Sequence, residues 1–296
     1  MSPPDATRPL GRLILLPVPL DPGQSPLEVL PMATRGHFER IEVFVVENAK
    51  AARRFLKPLV GKRPLQSIEL IEWSANHRRV EPGEALAPLS RGIDIGLLSD
   101  AGCPAVADPG ADLVAAAHRM GATVVPAVGP SALLLALMAS GMGGQRFGFV
   151  GYLPSDTEGR SAALRELERR SAAGDETILF IETPYRNHAM LDAALDSLAP
   201  TTVLMTASGL TLAQERIVSR PVAAWRKAGE AAAHELDRRI PAVFGLKAAA
   251  AMAPAHRAGT GSAQPRRRTS LDAGSDRRAE PRRKLRPDLP RDPLGD

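Results

Sequence analysis

The chain of 296 residues is 44% hydrophobic and 24% charged, a composition typical of a globular protein with about two compact units. Its one cysteine excludes a disulfide framework and leaves no Cys-x-x-Cys pair for zinc. The net charge of +5 lies entirely in residues 249–296, which contain ten Arg and one Lys against six acidic residues. The basic charge therefore identifies no partner for the remaining, neutral part of the chain.

No segment of the sequence is predicted to enter a membrane. The uncharged run 122–145 is long enough for a spanning helix, but Pro126, Gly129 and Pro130 interrupt it. Residues 1–10 lack the basic start and the apolar stretch of a signal peptide. We therefore expect a cytoplasmic protein.

Strands and helices alternate through the first half of the chain. Apolar runs predict strands at 13–16, 41–46, 68–73, 93–98 and 123–125. Helical spacing predicts helices at 49–59, 84–90 and 111–120. Asp108 is the expected N-cap of the last of these, with Pro109 at its first position. An apolar helix is expected to begin at Ser131.

The alternation continues after a glycine cluster at 141–144, which we interpret as a hinge between two lobes. Strands are predicted at 147–152, 177–181, 202–207, 215–219 and 242–247. Helices are predicted at 187–198 and 222–227, and a capping box of Ser155 and Glu158 predicts another that runs to about residue 173. This order indicates an α/β fold with mostly parallel sheets. Residues 249–296 are too poor in apolar side chains to fold and are expected to form a disordered basic tail.

Several common catalytic motifs are absent from the sequence. It contains no phosphate-binding G-x-x-x-x-G-K-[ST] loop, no strand-linked G-x-G-x-x-G and no G-x-S-x-G elbow. Its six histidines show no metal-ligand spacing, so we expect no metal site. Hydrolase, metalloenzyme and P-loop functions are therefore disfavoured.

The segment 96–110 is the strongest candidate for a binding site. A buried strand brings Asp100 to its carboxyl end, where α/β proteins bind ligands. Ala101 and Gly102 have almost no side chain, so that a ligand can approach the backbone. Asp100 would favour a cationic ligand, but it could equally bond its own backbone in a tight turn. The residues alone leave these alternatives open.

A set of motifs resembles the tetrapyrrole (corrin/porphyrin) methylase superfamily, nearest to its branch of small-subunit ribosomal RNA ribose 2′-O-methyltransferases. The matching blocks are Ser-Asp-Ala-Gly-Cys-Pro at 99–104, Asp-Pro-Gly at 108–110, Val-Pro-Ala-Val-Gly-Pro-Ser-Ala at 125–132, Gly-Tyr-Leu-Pro at 151–154, Phe-Ile-Glu-Thr-Pro-Tyr-Arg at 180–186 and Ile-Pro-Ala-Val-Phe at 240–244. The resemblance implies two α/β lobes, over 11–126 and 127–248, with S-adenosyl-L-methionine in the cleft between them. It also implies a homodimer.

The resemblance suggests which residues bind this cofactor. In the first lobe these would be Asp100, Ala101, Gly102 and Cys103. At the start of the apolar helix they would be Ser131 and Ala132, and at the strand ends of the second lobe Glu182, Ala207, Pro241 and Ala242. No catalytic residue is assigned. Glu47 and His77 could each accept a proton, but each could equally serve a structural role.

Two loops depart from the branch that the chain resembles. The sequence has Glu-Asn-Ala-Lys at 47–50, where ribose methylases read Glu-Asp-Thr-Arg, and the loop at 17–23 lacks the usual Gly-Asn ending. We expect a methyltransferase that acts on RNA or a ribosomal subunit. The alternatives are a tetrapyrrole precursor C-methyltransferase and a ribosome-associated protein that binds the cofactor without turnover.

Overall fold

Two five-stranded sheets organise the fold in the computed structural model, which describes residues 9–73, 81–229 and 236–249. The first sheet has the order β3-β2-β4-β1-β5, and the second has the order β6-β7-β10-β8-β9. The strands are β1 Leu13–Leu15, β2 Val43–Val46, β3 Glu69–Glu72, β4 Ile95–Leu97, β5 Val124–Pro126, β6 Phe147–Tyr152, β7 Thr177–Glu182, β8 Val203–Ser208, β9 Arg216–Pro221 and β10 Ala242–Lys247.

Helices cover both faces of each sheet. The α-helices are α1 Pro26–Val29, α2 Met32–Arg40, α3 Ala49–Leu56, α4 Pro82–Ala85, α5 Ala111–Arg119, α6 Ala132–Ser140, α7 Thr157–Gly174, α8 Asn187–Ser197 and α9 Val222–Ala228. Short 3-10 turns lie at Leu65–Ser67, Ala87–Arg91 and Pro184–Arg186. None of the helices in the described ranges is long and apolar enough to cross a bilayer.

The first sheet is fully parallel, as predicted, and is buried on both faces. Alternate residues of its strands point to opposite sides, so Ile14 packs with Phe38 and Leu56 under α2 and α3. Leu13 packs instead with Leu113 of α5 on the other face. All five β-strands therefore end at one edge, where their carboxyl ends are open to a ligand.

The second sheet is mostly antiparallel, which corrects the prediction of mostly parallel sheets. Only β6 and β7 run parallel, because β8 returns directly into β9 and β10 inserts antiparallel between β7 and β8. Phe180 and Phe244 stack at 5.3 Å between centroids beneath α7, α8 and α9. The opposite face carries α6, with Ala136 against Met205 and Val243.

Some local predictions were wrong. The glycines at 141–144 follow α6, which packs on the second sheet, so the chain passes between the sheets before α6 and not at that cluster. Asp108 does not cap α5, since Gly110 with φ of 124° holds that place, and Asp156 rather than Ser155 caps α7. Helices α1 and α2 were missed because their sequence has little apolar periodicity, and 84–90 became a short helix and a 3-10 turn around Pro88.

Both sheets belong to one compact unit of the chain. The lobes at 11–126 and 127–248 therefore remain our proposal for dividing this unit. The expected basic tail at 249–296 lies outside the described residues, apart from Ala249. The second proton acceptor that the sequence suggested, His77, also lies outside them.

Candidate functional site

A cavity of about 230 Å³ opens where the two sheets meet. The first half of the chain contributes the turn after β4 and the loop after β1. The second half contributes the ends of β7 and β8 and the start of β10. The polar or small residues in its wall are Asp21, Ala101, Gly102, Cys103, Ala107, Asp108, Ser131, Ala132, Tyr152, Glu182, Ala207, Ser208, Gly209, Pro241 and Ala242.

Strand register explains why distant segments of the second sheet converge on this cavity. Because β10 is antiparallel to its neighbours, its first residue lies at the edge where β7 and β8 end. Ala242 pairs with Glu182 on one side and with Ser208 on the other. A block near residue 240 thus meets blocks near residues 182 and 207, as the resemblance implied.

The turn after β4 is held against the loop that follows β1. The backbone N–H of Val18 donates to the carbonyl of Gly102 at 2.9 Å, and the two residues form an antiparallel bridge. Gly102 has φ of +67°, a conformation that glycine adopts without strain. A Cβ at this position would lie 3.2 Å from Leu20 Cδ2. The turn therefore presents bare backbone to the cavity.

The same turn is tied to the start of α6. The Cys103 thiol donates to the Pro130 carbonyl at 3.4 Å. Burial raises the pKa of the Cys103 thiol, so the sulfur is protonated and a poor nucleophile. Ser131 caps α6 by accepting from the Leu134 N–H at 3.5 Å. The first contact ties the turn after β4 to the residue before the N-cap of α6, and the second stabilises the first turn of that helix.

Nine of the ten predicted cofactor-binding residues line this one cavity, and Asp100 does not. Its side chain is exposed and faces a neighbouring, smaller cavity, while its backbone N–H donates to Glu47 Oε1 at 3.1 Å. Two other carboxylates from the first half of the chain, Asp21 and Asp108, do line the larger cavity.

Asp108, which belongs to the Asp-Pro-Gly motif and was predicted to cap α5, supplies negative charge to the cavity. Burial, with a smaller contribution from the charge of Asp100, raises the pKa of Asp108 to about 6. The pKa of Tyr152 is raised by burial and by the charges of Asp108 and Glu182. A cationic ligand would relieve this accumulated negative charge. The Asp-Pro-Gly motif marks this position in the sequence. The same three residues also resemble the start of a helix, which is how Asp108 was interpreted.

Glu182 forms a buried ion pair at the opposite wall. Its side chain is 1% exposed, and its Oε2 lies 3.0 Å from Arg186 Nη2. Its Oε1 accepts from the Thr183 N–H at 2.8 Å. Among the described residues no group of three or more His, Cys, Asp or Glu is arranged to hold a metal ion. The cavity is thus suited to an organic cation, with small residues at the turn and carboxylates around it.

Known proteins are similar to this chain in sequence. The family model of Tetrapyrrole (Corrin/Porphyrin) Methylases matches residues 35–224. A protein of Escherichia coli O157:H7 named ribosomal RNA small subunit methyltransferase I is 31% identical over 228 residues, 74% of this chain and 73% of that protein. Proteins of the same name from Micromonospora olivasterospora and Bacillus subtilis (strain 168) are 34% and 30% identical, over 61% and 67% of this chain and 54% and 63% of theirs.

Solved structures share the fold. The methyltransferase CobJ aligns with a TM-score of 0.50 and 19% identity, over 81% of this chain and 95% of that one. A hypothetical protein from Aeropyrum pernix K1 aligns with a TM-score of 0.55 and 14% identity, over 81% of this chain and 85% of that one. At these identities the likeness concerns the fold alone.

Proposed function

The chain belongs to the tetrapyrrole (corrin/porphyrin) methylase family and is a methyltransferase that uses S-adenosylmethionine, and we propose that its methyl acceptor is RNA of the small ribosomal subunit. The relatives named for ribosomal RNA, similar over up to 74% of the chain, support this acceptor. The observation that carries the site assignment is the acidic cavity between the ends of the two sheets. Family membership and this cavity together support the proposed function.

The cavity residues fit the cofactor. We propose that Ala101, Gly102 and Cys103 receive it from one side, and Ser131 and Ala132 from the start of α6. On the opposite side we propose Glu182, Ala207, Pro241 and Ala242. Asp108 replaces Asp100 as the carboxylate that faces the cation.

In methyl transfer the main task of the protein is to orient the cofactor and the acceptor. Bound S-adenosylmethionine supplies an electrophilic methyl group on a positively charged sulfur. The residues of the chain hold the acceptor in line with that methyl, at a distance of about 3 Å. Asp108 offsets the positive charge before the reaction, and the small side chains at the turn keep the approach open.

RNA is favoured over a tetrapyrrole precursor as the acceptor. The structural neighbour CobJ shares only 19% identity, so its likeness concerns the fold and not the substrate. The relatives with 30% identity or more are named for ribosomal RNA. We accordingly propose ribose 2′-O-methylation, which the sequence resemblance implied. An acceptor in the ribosomal subunit would also place the enzyme in the cytoplasm.

The test uses methyl-labelled S-adenosylmethionine with the purified protein. Small ribosomal subunits lacking the modification and a tetrapyrrole precursor are offered in separate reactions, and label in each acceptor is counted. We expect labelled RNA and an unlabelled tetrapyrrole. Label on the tetrapyrrole alone would refute the RNA acceptor. Nuclease digestion followed by mass spectrometry of the nucleosides then identifies a ribose or a base methyl.

We also propose that the protein forms a homodimer. The support is an apolar strip on the outer side of α6, where Leu134 and Met138 are 53% and 80% exposed. These residues are four apart and share one helix face. Analytical ultracentrifugation of the protein and of the Met138→Glu variant tests this proposal. We expect a dimer that the variant weakens, and a monomeric parent protein would refute it.

A further inference from the structure

A second cavity, of about 120 Å³, lies beside the cofactor cavity at the carboxyl ends of β1, β2 and β4. Ser99 and Asp100 line it, while the next three residues of the same turn line the cofactor cavity. Asp21 lines both cavities. A group in the second cavity would therefore be next to a cofactor held in the first.

Glu47 is fixed in the wall of this second cavity. It follows the last residue of β2, and Asn48 then caps α3 by accepting from the N–H groups of Lys50 and Ala51. The Glu47 Oε1 atom accepts from the backbone N–H of Asp100 at 3.1 Å. Within the described ranges Glu47 has no cationic partner in an ion pair. Its half-buried carboxylate is thus positioned but not neutralised.

Helix α3 lines one side of the same cavity and carries an excess of positive charge. Ala51, Ala52, Arg54 and Phe55 of this helix line the cavity. Its basic residues, all exposed, are Lys50, Arg53 and Arg54, and Lys57 follows directly. The helix contains no acidic residue, and none of these four forms an ion pair within the described part of the chain. Unpaired cations on one helix are suited to bind phosphates.

We propose that this second cavity receives the acceptor ribose of the RNA, with Glu47 as the general base for its 2′-hydroxyl and Lys50 and Arg54 as contacts to the flanking phosphates. The inference rests on the proposed function and assigns its acceptor site. The carboxylate of Glu47 and the side chain of Arg54 both line the cavity, and Lys50 is an exposed residue one turn before Arg54 on α3, which matches a sugar between two phosphates.

The proposed reaction transfers the methyl group from sulfur to the ribose oxygen in one displacement. The 2′-oxygen forms a bond to the methyl carbon, and the bond from that carbon to sulfur breaks with its electron pair left on sulfur. The hydroxyl proton passes to Glu47, which later releases it to water. A hydroxyl needs such a base because its own pKa lies far above neutral, whereas an unprotonated ring nitrogen does not. The position of Glu47 therefore favours a hydroxyl acceptor.

Glu47→Gln tests the base. The amide oxygen can still accept from the Asp100 N–H, so we expect an unchanged fold and unchanged cofactor affinity. We expect kcat for RNA to fall about 100-fold with KM changed less than about twofold. The matched control is Glu42→Gln, an exposed residue just before the other end of β2, which should keep the parent rate.

The pH profile separates a base from a structural residue. Burial and the charges of Asp108 and Asp100 raise the pKa of Glu47 to about 6, so the parent rate should rise with pH through that value and then level. Of the described residues, Asp21, Arg54 and Asp100 line the same cavity, and Asp108 acts on Glu47 through its charge. Since Asp108 titrates in the same range, loss of the inflection in Glu47→Gln assigns it to Glu47.

Measurements of RNA affinity test the proposed phosphate contacts of α3 independently of catalysis. Lys50→Gln with Arg54→Gln is compared with Arg165→Gln with Arg169→Gln, a pair with the same spacing on α7. Affinity for single-stranded RNA is measured by fluorescence anisotropy across a salt series. We expect the first pair to flatten the slope of log affinity against log salt by about 1.4, or about 0.7 for each lost contact, and the second to leave it unchanged.

The outcomes are distinguishable. A parent protein that labels no RNA would overturn the proposed function and this inference with it. Labelling by the parent and equally fast labelling by Glu47→Gln would overturn only the base assignment. Equal salt slopes for the two paired variants would overturn the phosphate contacts. The assignment would be supported if Glu47→Gln turned over slowly but bound RNA normally. It would be supported further if Lys50→Gln with Arg54→Gln bound RNA weakly but turned over normally once RNA was bound.

Discussion

The side chain of Gln24 and residue Thr211, 187 positions apart, form two hydrogen bonds to each other. The Gln24 amide donates to the Thr211 carbonyl at 2.6 Å, and the Thr211 hydroxyl donates to the Gln24 Oε1 at 2.9 Å. Gln24 belongs to the loop after β1, and Thr211 to the loop between β8 and β9. Thr211 has φ of +71°, a strained conformation for a β-branched residue. This contact links the two halves of the site.

Removing that link should loosen the cofactor cavity. For Gln24→Ala we expect a loss of about 1–2 kcal/mol in the free energy of unfolding, since each hydrogen bond contributes about 1 kcal/mol. Affinity for S-adenosylhomocysteine should also fall, because the two walls are no longer held together. Gln66→Ala, at an exposed position, is the control for urea unfolding and calorimetry. Normal ligand affinity in Gln24→Ala would show that the link does not shape the cavity.

Gly102 tests the position of the cofactor. A valine there should abolish cofactor binding, because its side chain would meet Leu20 and enter the cavity. The left-handed backbone adds a cost of about 1–2 kcal/mol. Gly143→Val is the control: its φ is +80°, but nothing lies within 4 Å of its Cβ and it is not in the cavity wall. We expect the two variants to give similar unfolding curves, and only Gly102→Val to lose ligand binding. If Gly102→Val still binds the ligand, the cofactor site does not lie at this turn.

Asp108 should make stability depend on pH. Its pKa is about 6 in the folded protein against an ordinary value of 3.8, so the folded state binds the extra proton. Its contribution to stability is therefore complete below about pH 3.8 and is lost as the pH rises through 6. At neutral pH and above, Asp108→Asn should be more stable than the parent by about 1 kcal/mol, because the half-exposed carboxylate limits the penalty. Thermal unfolding across pH checks this, and a gap that does not narrow below pH 4 would contradict it.

The Asp108→Asn variant also tests whether Asp108 faces the positively charged sulfur of the cofactor. Asp108→Asn should weaken binding of S-adenosylmethionine more than binding of S-adenosylhomocysteine, because only the former has a charged sulfur. Calorimetry with both ligands gives the ratio of the two affinities. An unchanged ratio would mean that Asp108 does not face the sulfonium.

Arg186 protects the fold at the other wall. Arg186→Met leaves the Glu182 carboxylate buried without its cation, and we expect the free energy of unfolding to fall by about 3 kcal/mol. The double variant Arg186→Met with Glu182→Gln should recover part of this loss, since no charge is then left unpaired. Urea unfolding compares both variants with the parent protein. Equal losses in the single and double variants would indicate that Arg186 acts only through its bonds to the Leu153 and Pro154 carbonyls.

The sequence predicted the first sheet well because its strands are buried on both faces and separated by clear helix signals. It did not predict the antiparallel second sheet, since local periodicity contains no information on strand direction. Of the residues that the motifs suggested for the cofactor, those of the turn at 101–103 and of the edge at 182, 207 and 242 line one cavity. Asp100 lines the neighbouring, smaller cavity, and Asp108, which a local pattern assigned to the start of α5, lines this one.

The thiol of Cys103 gives the protein an internal reporter. It is the only sulfhydryl in the chain, it is partly accessible, and it forms part of the cofactor cavity wall. A maleimide can therefore modify one position only, without any engineered label. Because the raised pKa leaves little thiolate, alkylation should be slow near neutral pH. A bound ligand should slow it further by shielding the sulfur, so that ligand occupancy can be followed as a reaction rate by intact-mass spectrometry.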